Sequence, residues 1–276
     1  MVTAAVSGGA DSSALLALAV EAGCDVTAVH VDHGLRPGGG AEAEAVAALA
    51  RRLGARFQAR QVTVAAGPNL EARARAARRS VLPPDAMTGH TADDQAETVV
   101  LNLVRGAGLD GLAGMRPGPA KPLLSLRRAE TSALCASLGV EPVHDPTNAD
   151  PRMRRNRVRH EVLPLLDDVA RRDVAALVSR TADLLGDDAA LLAQLAAGVD
   201  PTDAGALAAA PPPLARRAVR RWLVAESPPH PPDVATVARV LEVARGTWRA
   251  TEIGGGRRVA RTAGRLRVER APADER

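Results

Sequence analysis

The sequence predicts an α/β protein with three parts: a parallel-sheet domain over residues 1–160, a helical connector over 161–205, and a small α+β domain over 206–276. Three patterns predict this. Short apolar strands alternate with helices of ten to fifteen residues at the start, leucines recur at helical spacing over 160–198, and two helices precede strand-like stretches at the end. Alternating strands and helices are typical of βαβ units, whose crossovers produce a parallel sheet.

Four strand–helix pairs are predicted in the first domain. Their strands cover residues 2–6, 26–31, about 57–64 and about 86–89. The helices cover about 11–22, 41–53 and 70–82, and a fourth begins at Thr91, each with an apolar face. Because ligands of such sheets bind beyond the carboxyl ends of the strands, the loops at this edge form one candidate site.

Glycines and prolines interrupt the pattern after Gly106, and a helix over 127–138 with the polar turn HDPTNAD closes the first domain. The connector is helical, and PTDAGALAAAPPPLA breaks its pattern. The last domain is predicted to contain helices at about 214–225 and 233–245, strands through WRATEI and RRVARTAGRLRVER, and turns at Gly254–Gly256 and Gly264.

The composition restricts both the core and the kind of RNA contact that the protein can make. Apolar residues make up 46% of 276, but Phe57, Trp222 and Trp248 are the only aromatic residues, so the core must consist of Ala, Val and Leu. Aromatic platforms that stack on single-stranded RNA are thereby almost excluded. The formal charge is +4, and Lys121 is the only lysine among 36 basic residues. With so many arginines, only clusters of them indicate a site.

The two cysteines and the N-terminus bear on location. Cys24 and Cys135 are far apart and form no CxxC pair, so a disulfide framework, a zinc ribbon and an iron–sulfur site are not expected. No charged leader precedes an apolar run at the N-terminus, and no run approaches the roughly 18 apolar residues of a membrane span. We expect a cytoplasmic protein without membrane contact.

The segment SGGADS lies between the first strand and the first helix. Backbone N–H groups and the positive end of the helix would face an anion in this turn, and glycines allow close approach of phosphate. The alternative is a glycine turn with a Ser or Asp cap. The predicted nucleotide ligands here are Ser7, Gly8, Gly9, Ala10, Asp11 and Ser12. Asp11 can also hold Mg²⁺ between phosphate oxygens.

This segment resembles the PP-loop of the N-type ATP pyrophosphatases, which split ATP to AMP and pyrophosphate through an adenylated substrate. The resemblance implies the adenine nucleotide alpha hydrolase-like fold, with ATP and Mg²⁺ bound. The segments HVDHGLR, GHTADDQAETVVLNLVRGAGLDGLAGM, KPLL, DPTN and RRNRVR follow in the order and spacing of one family within this group. From about Val2 to Pro164 the chain resembles the tRNA(Ile)-lysidine synthetase family. The resemblance continues more weakly into the C-terminal domain.

Acidic residues gather at the start of the fourth helix. Thr91 is a suitable N-cap with Asp94 three residues on, and Asp93 and Asp94 lie one turn before Glu97. An acidic first turn can simply satisfy the helix dipole. Beside a phosphate loop we expect it to face a cation, either Mg²⁺ or a substrate ammonium. The resemblance implies that Asp94 and Glu97 recognise lysine and help to deprotonate it, with Asp93 beside them and Asp11 on the metal.

Two histidine segments lie at the same edge. In HVDHG, His30, Asp32 and His33 point to different faces of a strand, which argues against a metal triad. We expect His30 and Asp32 to line a nucleotide pocket, with a structural turn as the alternative. His90 either binds phosphate or caps a strand.

Arginine clusters indicate polyanion contacts. Arg75 and Arg78 lie at i,i+3 on the third helix, where a solvated basic face is the alternative and Arg79 replaces the family's tyrosine. Arginines crowd the segment MRRNRVRH, where Arg155, Arg157 and Arg159 are predicted to contact tRNA or nucleotide phosphates rather than form a surface salt-bridge strip. A second, less marked cluster spans residues 245–270.

The resemblance implies a ligase that forms a carbon–nitrogen bond. ATP would adenylate the C2 oxygen of the wobble cytidine in the CAU anticodon of isoleucine tRNA, and the ε-amine of L-lysine would then displace AMP to form lysidine. Two alternatives are another PP-loop tRNA-modifying or small-molecule ligase, for which catalytic cysteines are expected, and a non-catalytic RNA-binding protein. The sequence leaves a homodimer open.

Overall fold

The computed structural model describes residues 1–34, 39–65, 67, 70–143, 150–226 and 232–271. The chain forms two compact units, Met1–Gly186 and Asp187–Arg276. The three-part division expected from the sequence stays a prediction. Most of the polar turn HDPTNAD lies outside the described residues.

The first unit contains the predicted parallel sheet. Its strands are β1 (Val2–Ala5), β2 (Val26–Asp32), β3 (Arg56–Gln61) and β4 (Met87–Thr88). They lie in the order β3-β2-β1-β4, and every pair is parallel. Because β1 is flanked by β2 on one side and by β4 on the other, the chain reverses its direction of winding at β1. Doubly wound sheets bind ligands at this point, beyond the carboxyl ends of the strands.

Helices follow the strands as the sequence predicts. The helices that begin in this unit are α1 (Ala10–Glu21), α2 (Gly39–Leu53), α3 (Leu70–Val81), α4 (Ala92–Val104), α5 (Leu109–Leu112), α6 (Arg128–Ser137), α7 (Arg154–Arg157), α8 (Leu163–Ala170) and α9 (Val174–Ala197), with a π-helical turn (Val158–Val162) between α7 and α8.

The core of the first unit consists of Ala, Val and Leu, as the composition predicts. The strands β1 and β2 contribute Ala4, Val26 and Ala28, and α1 contributes Leu15 and Leu16, all of them buried. Since α1 is apolar over most of its surface, it is buried along most of its length.

One strand differs from the expectation. β3 ends at Gln61 instead of about residue 64, and most of its residues are exposed. It lies at the edge of the sheet, where Arg56 and Arg60 point to solvent, and such charges discourage pairing with another chain. The sheet is therefore not covered on both faces at this edge.

The second unit packs three helices against a three-stranded antiparallel sheet. Its elements are α10 (Ala204–Ala209), α11 (Pro212–Glu226), α12 (Val234–Arg245), β5 (Ala250–Gly254), β6 (Arg257–Thr262) and β7 (Arg265–Arg270), in the strand order β5-β6-β7. Val219, Val240 and Val259 are completely buried between them. The predicted glycine turns are present, with positive φ at Gly254–Gly256 and Gly264.

The segment predicted to break the helical pattern contains α10, which the sequence analysis missed. Asp203 caps this helix by accepting a hydrogen bond from the N–H of Ala206 at 3.0 Å. The prolines that follow end the helix at Ala209. Among the described residues, no helix is both long enough and apolar enough to span a membrane.

Candidate active site

The loop after β1 has the sequence SGGADS and leads directly into α1. Gly8 has a φ of 89°, and a Cβ atom there would lie 2.9 Å from Cγ2 of Val143. Ser12 closes the loop, because its hydroxyl donates to the carbonyl of Gly9 at 2.9 Å and accepts from the N–H of Ser7 at 3.1 Å. Backbone N–H groups at the start of α1 thus face the end of β1, which is a geometry suited to bind an anion.

A cavity of about 750 Å³ opens at the carboxyl edge of the sheet. This volume is typical of small-molecule and cofactor sites. The loops after β1, β2 and β4 all contribute to its wall, as expected, whereas the fourth predicted loop lies partly outside the described residues. The polar side chains of the wall include Ser7, Asp11, Ser12, His30, His33, Arg78, His90, Asp94, Arg128 and Arg159.

Asp11 lies in the first turn of α1, at the floor of the phosphate loop. Its carboxylate accepts hydrogen bonds from the Thr131 hydroxyl and from Nε of Arg128, the latter at 3.3 Å. Burial raises the pKa of Asp11, and these two donors only partly offset that effect.

A single carboxylate beside a phosphate loop fits a Mg²⁺ ligand, since Mg²⁺ in such sites takes one or two carboxylates and receives its other ligands from phosphate and water. Asp11 has this position. Within the part of the chain that the structure describes, no three His, Cys, Asp or Glu side chains gather to hold a metal unaided.

Asp94 is fixed by the start of α4. Thr91 is the N-cap, and its backbone N–H donates to Oδ2 of Asp94 at 3.0 Å, which is the predicted capping arrangement. The other oxygen, Oδ1, accepts from Arg128 at 3.0 Å and from Arg155 at 3.1 Å. Although burial raises the pKa of Asp94, these two guanidinium groups hold it below its usual value.

Glu97 follows one turn later and lies beside Asp94, as their spacing predicts. Its side chain is 0% exposed. It accepts from Nε of Arg155 at 2.6 Å, from Nε of Arg159 at 2.7 Å and from Nη1 of Arg128 at 3.3 Å. A buried carboxylate costs several kcal/mol unless it is paired. The cations that face this acidic pair are therefore arginines of the chain itself, which the sequence analysis did not consider.

Two of these arginines come from α7 and from the π-helical turn that follows it. Arg155 and Arg159 both reach Glu97, whereas Arg157 forms an exposed pair with Glu161 at 2.8 Å. Short π-helical segments occur frequently at functional sites. Of the three arginines predicted to contact phosphates, Arg155 and Arg159 thus lie at the buried carboxylates and Arg157 lies at the surface. Their phosphate contacts stay a prediction.

Asp93 points away from Asp94. Its carboxylate accepts two hydrogen bonds from the Arg127 guanidinium, at 2.9 and 3.0 Å, and one from the N–H of Arg128 at 2.7 Å. Although burial raises the pKa of Asp93, these donors lower it overall. The contacts join the starts of α4 and α6. A substrate role for Asp93 stays a prediction.

The residues at the end of β2 and directly after it have separate roles. Nδ1 of His30 lies 3.0 Å from the carbonyl oxygen of Val6, within the sheet edge. Asp32 accepts a hydrogen bond from the N–H of Gly34 at 2.9 Å, which is a turn contact. His30, Val31 and His33 of this segment line the cavity, whereas Asp32 does not. Nδ1 of His33 is buried and has no hydrogen-bond partner among the described residues, and burial lowers the pKa of this ring.

His90 follows β4 at the cavity wall. Its Nδ1 lies 2.8 Å from the hydroxyl of Thr88, which also donates to the carbonyl of Ala120. Burial lowers the pKa of His90 to about 4. The positive charges of nearby arginines also lower it, whereas the negative charge of Asp94 acts in the opposite direction. The ring is therefore neutral at neutral pH, so it would contact phosphate only as a neutral N–H donor.

The arginines of α3 add positive charge to one side of the cavity. Arg78 lies at the wall, whereas Arg75 is exposed. Burial lowers the pKa of Arg78, and the like charges of Arg75 and Arg79 lower it further. Such a concentration of positive charge favours an anionic ligand.

Two residues of the site, Arg128 and Gly89, were not predicted from the sequence. Arg128 is the first residue of α6 and contacts Asp11, Asp94 and Glu97. In a chain with so many arginines, nothing in the local sequence separates it from the others. Gly89 packs against the backbone of Asp11 and Ser12 in the phosphate loop. The sequence feature that could have indicated it is its position between a predicted strand and the segment HTADD.

Comparisons with known proteins agree with this arrangement. A model of the PP-loop domain matches residues 1–166, and a model of the TilS substrate binding domain matches residues 203–267. The tRNA(Ile)-lysidine synthase of Nocardia farcinica is 44% identical, covering 98% of this chain and 92% of that protein. The protein of the same name from Rhodococcus erythropolis is 45% identical over 81% of this chain and 74% of its own length.

Among solved structures, the U34-tRNA thiolase NcsA from Methanococcus maripaludis matches with a TM-score of 0.54 and 19% identity. The match covers 67% of this chain and 72% of that one. At this identity it supports a shared fold alone. The two family models and the similarity along nearly the whole length establish more: the chain belongs to the tRNA(Ile)-lysidine synthase family.

Proposed function

We propose that the protein is a ligase that uses ATP to attach L-lysine to C2 of the wobble cytidine in the CAU anticodon of isoleucine tRNA. Family membership supports this reaction. One structural observation supports this reaction most directly. A single guanidinium group, that of Arg128, lies 3.3 Å from Asp11 in the phosphate loop and 3.0 Å from Asp94. The anion-binding loop and Asp94 thus face the same cavity.

The reaction needs two steps. The C2 oxygen of the cytidine forms a bond to the α-phosphorus of ATP, and the bond from that phosphorus to pyrophosphate breaks. The neutral amine of lysine then forms a bond to C2, the C2–O bond breaks to release AMP, and the attacking nitrogen loses one proton to solvent. Activation is needed because the carbonyl oxygen is a poor leaving group. The protein has to hold three substrates in line and to neutralise charge.

The phosphate loop supplies the site for the triphosphate. Backbone N–H groups of Gly8–Ser12, with the hydroxyls of Ser7 and Ser12, would bind phosphate oxygens at the start of α1. Asp11 would hold Mg²⁺, which supplies charge neutralisation between phosphates. His30 and His33 at the end of β2 would lie near the nucleoside, and Asp32 would support their turn.

Asp94 lies at the cavity wall and would receive the lysine ammonium. A free lysine side chain has a pKa near 10.4 and must lose a proton before it attacks. Like charges nearby lower such a pKa. Asp94 favours the charged ammonium, and the guanidinium groups of Arg128 and Arg159 at the same wall would counteract this effect and favour the neutral, reactive amine.

Arginines supply the contacts we propose for the RNA. In the first unit these are Arg75, Arg78 and the residues of α7 and the π-helical turn. In the second unit, the strands β6 and β7 carry Arg258, Arg267 and further arginines, in the region that matches the TilS substrate binding domain. Guanidinium groups position RNA through its phosphates.

We place this activity in the cytoplasm, since Cys24 and Cys135 are both free and disulfides are rare in that compartment. A homodimer stays open.

The direct test incubates the purified protein with ATP, Mg²⁺, radiolabelled lysine and an isoleucine tRNA transcript that carries CAU. We expect label in the RNA, with one pyrophosphate and one AMP released for each lysine. A transcript with GAU is the matched control, because it lacks the wobble cytidine. Pyrophosphate release without lysine incorporation would instead favour another PP-loop reaction, and binding without pyrophosphate release would favour an RNA-binding protein.

A further inference from the structure

Arg128 makes an unusual set of contacts for a single side chain. Each of its three guanidinium nitrogens lies near a different carboxylate: Nε near Asp11 at 3.3 Å, Nη2 near Asp94 at 3.0 Å and Nη1 near Glu97 at 3.3 Å. The planar guanidinium group suits such a fork, whereas a lysine ammonium has no fixed plane. Arg128 also lines the cavity. It therefore lies between the phosphate loop and the acidic pair.

Glu97 is separated from the cavity by its own partners. Its carboxylate is completely buried, and both oxygens accept hydrogen bonds from guanidinium groups. A substrate amine would have to displace an arginine before it reached this carboxylate. Asp94 is also paired with Arg128 and Arg155, but its side chain is 12% exposed and lines the cavity.

We infer that Glu97 is a positioning residue that holds Arg128 at the cavity wall, and that Arg128 stabilises the charge passing to pyrophosphate during adenylation of the RNA. This inference rests on the proposed function and deepens it. The family resemblance alone would assign Glu97 directly to lysine.

The physical reason lies in where charge develops. As the cytidine oxygen bonds to the α-phosphorus, the electron pair of the breaking bond moves to the pyrophosphate oxygen. A donor that is already oriented stabilises this charge without reorganising, which accelerates the step. Arg128 is one hydrogen bond from Asp11 in the phosphate loop, and Asp94 and Glu97 fix its other two nitrogens.

Separate measurement of the two steps tests this inference. Adenylation is followed as pyrophosphate release in a single turnover with ATP and CAU transcript, without lysine. The KM for lysine is measured in the complete reaction. The variants are Glu97→Gln, Arg128→Lys and the double variant, and the control is Arg56→Met, which removes an exposed ion pair with Asp25 at the far end of β3.

We expect Glu97→Gln and Arg128→Lys each to slow adenylation by about 100-fold, the usual effect of removing one preorganised donor. The KM for lysine should change by less than about threefold. Both substitutions disturb the same contact, that between Arg128 and Glu97. The double variant should therefore adenylate RNA only slightly more slowly than Arg128→Lys alone, as expected for coupled residues. Arg56→Met should behave as the unaltered protein does.

The inference is overturned if Glu97→Gln raises the KM for lysine while adenylation stays normal, since Glu97 would then bind lysine directly. It is also overturned if Arg128→Lys adenylates RNA at the normal rate. Circular dichroism establishes that each variant is folded, and if Glu97→Gln is not, Arg128→Lys decides alone. If the unaltered protein releases no pyrophosphate with the CAU transcript, the proposed function itself fails.

Discussion

Gly89 and Asp11 are in backbone contact: a Cβ atom on Gly89 would lie 2.6 Å from the carbonyl oxygen of Asp11. The chain after β4 thus packs directly on the first turn of α1. This contact sets the distance between the phosphate loop and the segment that leads into α4. It depends on the absence of a side chain at residue 89.

We expect Gly89→Ala to slow adenylation of the RNA by about 100-fold, because a displacement of about 1 Å in a positioned site has effects of that size. Single-turnover pyrophosphate release measures it. Gly40→Ala is the matched control, since a Cβ atom there meets nothing within 4 Å. Equal rates for Gly89→Ala and Gly40→Ala would show that this contact does not position the loop.

The two loop glycines should differ in their effect on stability. Gly8 has a positive φ and contacts Val143, so Gly8→Ala should lower the free energy of unfolding by about 1–2 kcal/mol or more. Gly9 has a φ of −69° and its nearest neighbour is Oγ of Ser7 at 3.8 Å, so Gly9→Ala should change it by less than about 0.5 kcal/mol. Urea unfolding measures both. Similar losses would contradict the strain at Gly8.

Asp94→Asn should raise the KM for lysine by about 30-fold, which corresponds to a charge-assisted hydrogen bond of about 2 kcal/mol. The amide oxygen still accepts from Arg128, so adenylation should fall much less. Steady-state kinetics with varied lysine check this. An unchanged KM would remove Asp94 from the lysine site.

Asp93→Asn should act on stability instead. The side chain is 18% exposed and joins α4 to Arg127, so loss of its charge should cost about 1–3 kcal/mol in the free energy of unfolding. Urea unfolding and lysine kinetics on the same variant separate the two roles. A higher KM for lysine with normal stability would place Asp93 in the substrate site after all.

His90 should make stability depend on pH in a defined window. Its pKa is about 4 in the fold and about 6.5 in the unfolded chain. Between these values only the unfolded chain binds the proton, so the protein should lose stability as the pH falls from 6.5 to 4. Asp11, with a raised pKa, acts in the opposite direction.

The check is the melting temperature between pH 4 and 7 for the unaltered protein and for His90→Gln. The variant should show a weaker dependence on pH, because it lacks the titrating ring. Parallel curves would mean that His90 is not neutral in the fold.

Much of the fold was predictable because its signals are local. The alternation of strands and helices in the first hundred residues, the cap at Thr91 and the turns at Gly254–Gly256 all follow from short sequence patterns. The helix α10 was missed because its six residues are mostly Ala, and because the prolines after it dominated the pattern. The end of β3 was misplaced because an exposed edge strand has no clear apolar period.

The sequence by itself determined the position of the phosphate loop, the pairing of Asp94 with Glu97 along α4, and the sheet edge where both lie. Each depends on residues within a few positions of one another. Only the tertiary structure decided which cations face Glu97, because Arg128, Arg155 and Arg159 lie 31, 58 and 62 positions away along the chain. Packing of α4 with α6, α7 and the π-helical turn brings these charges together, and no local pattern encodes such contacts.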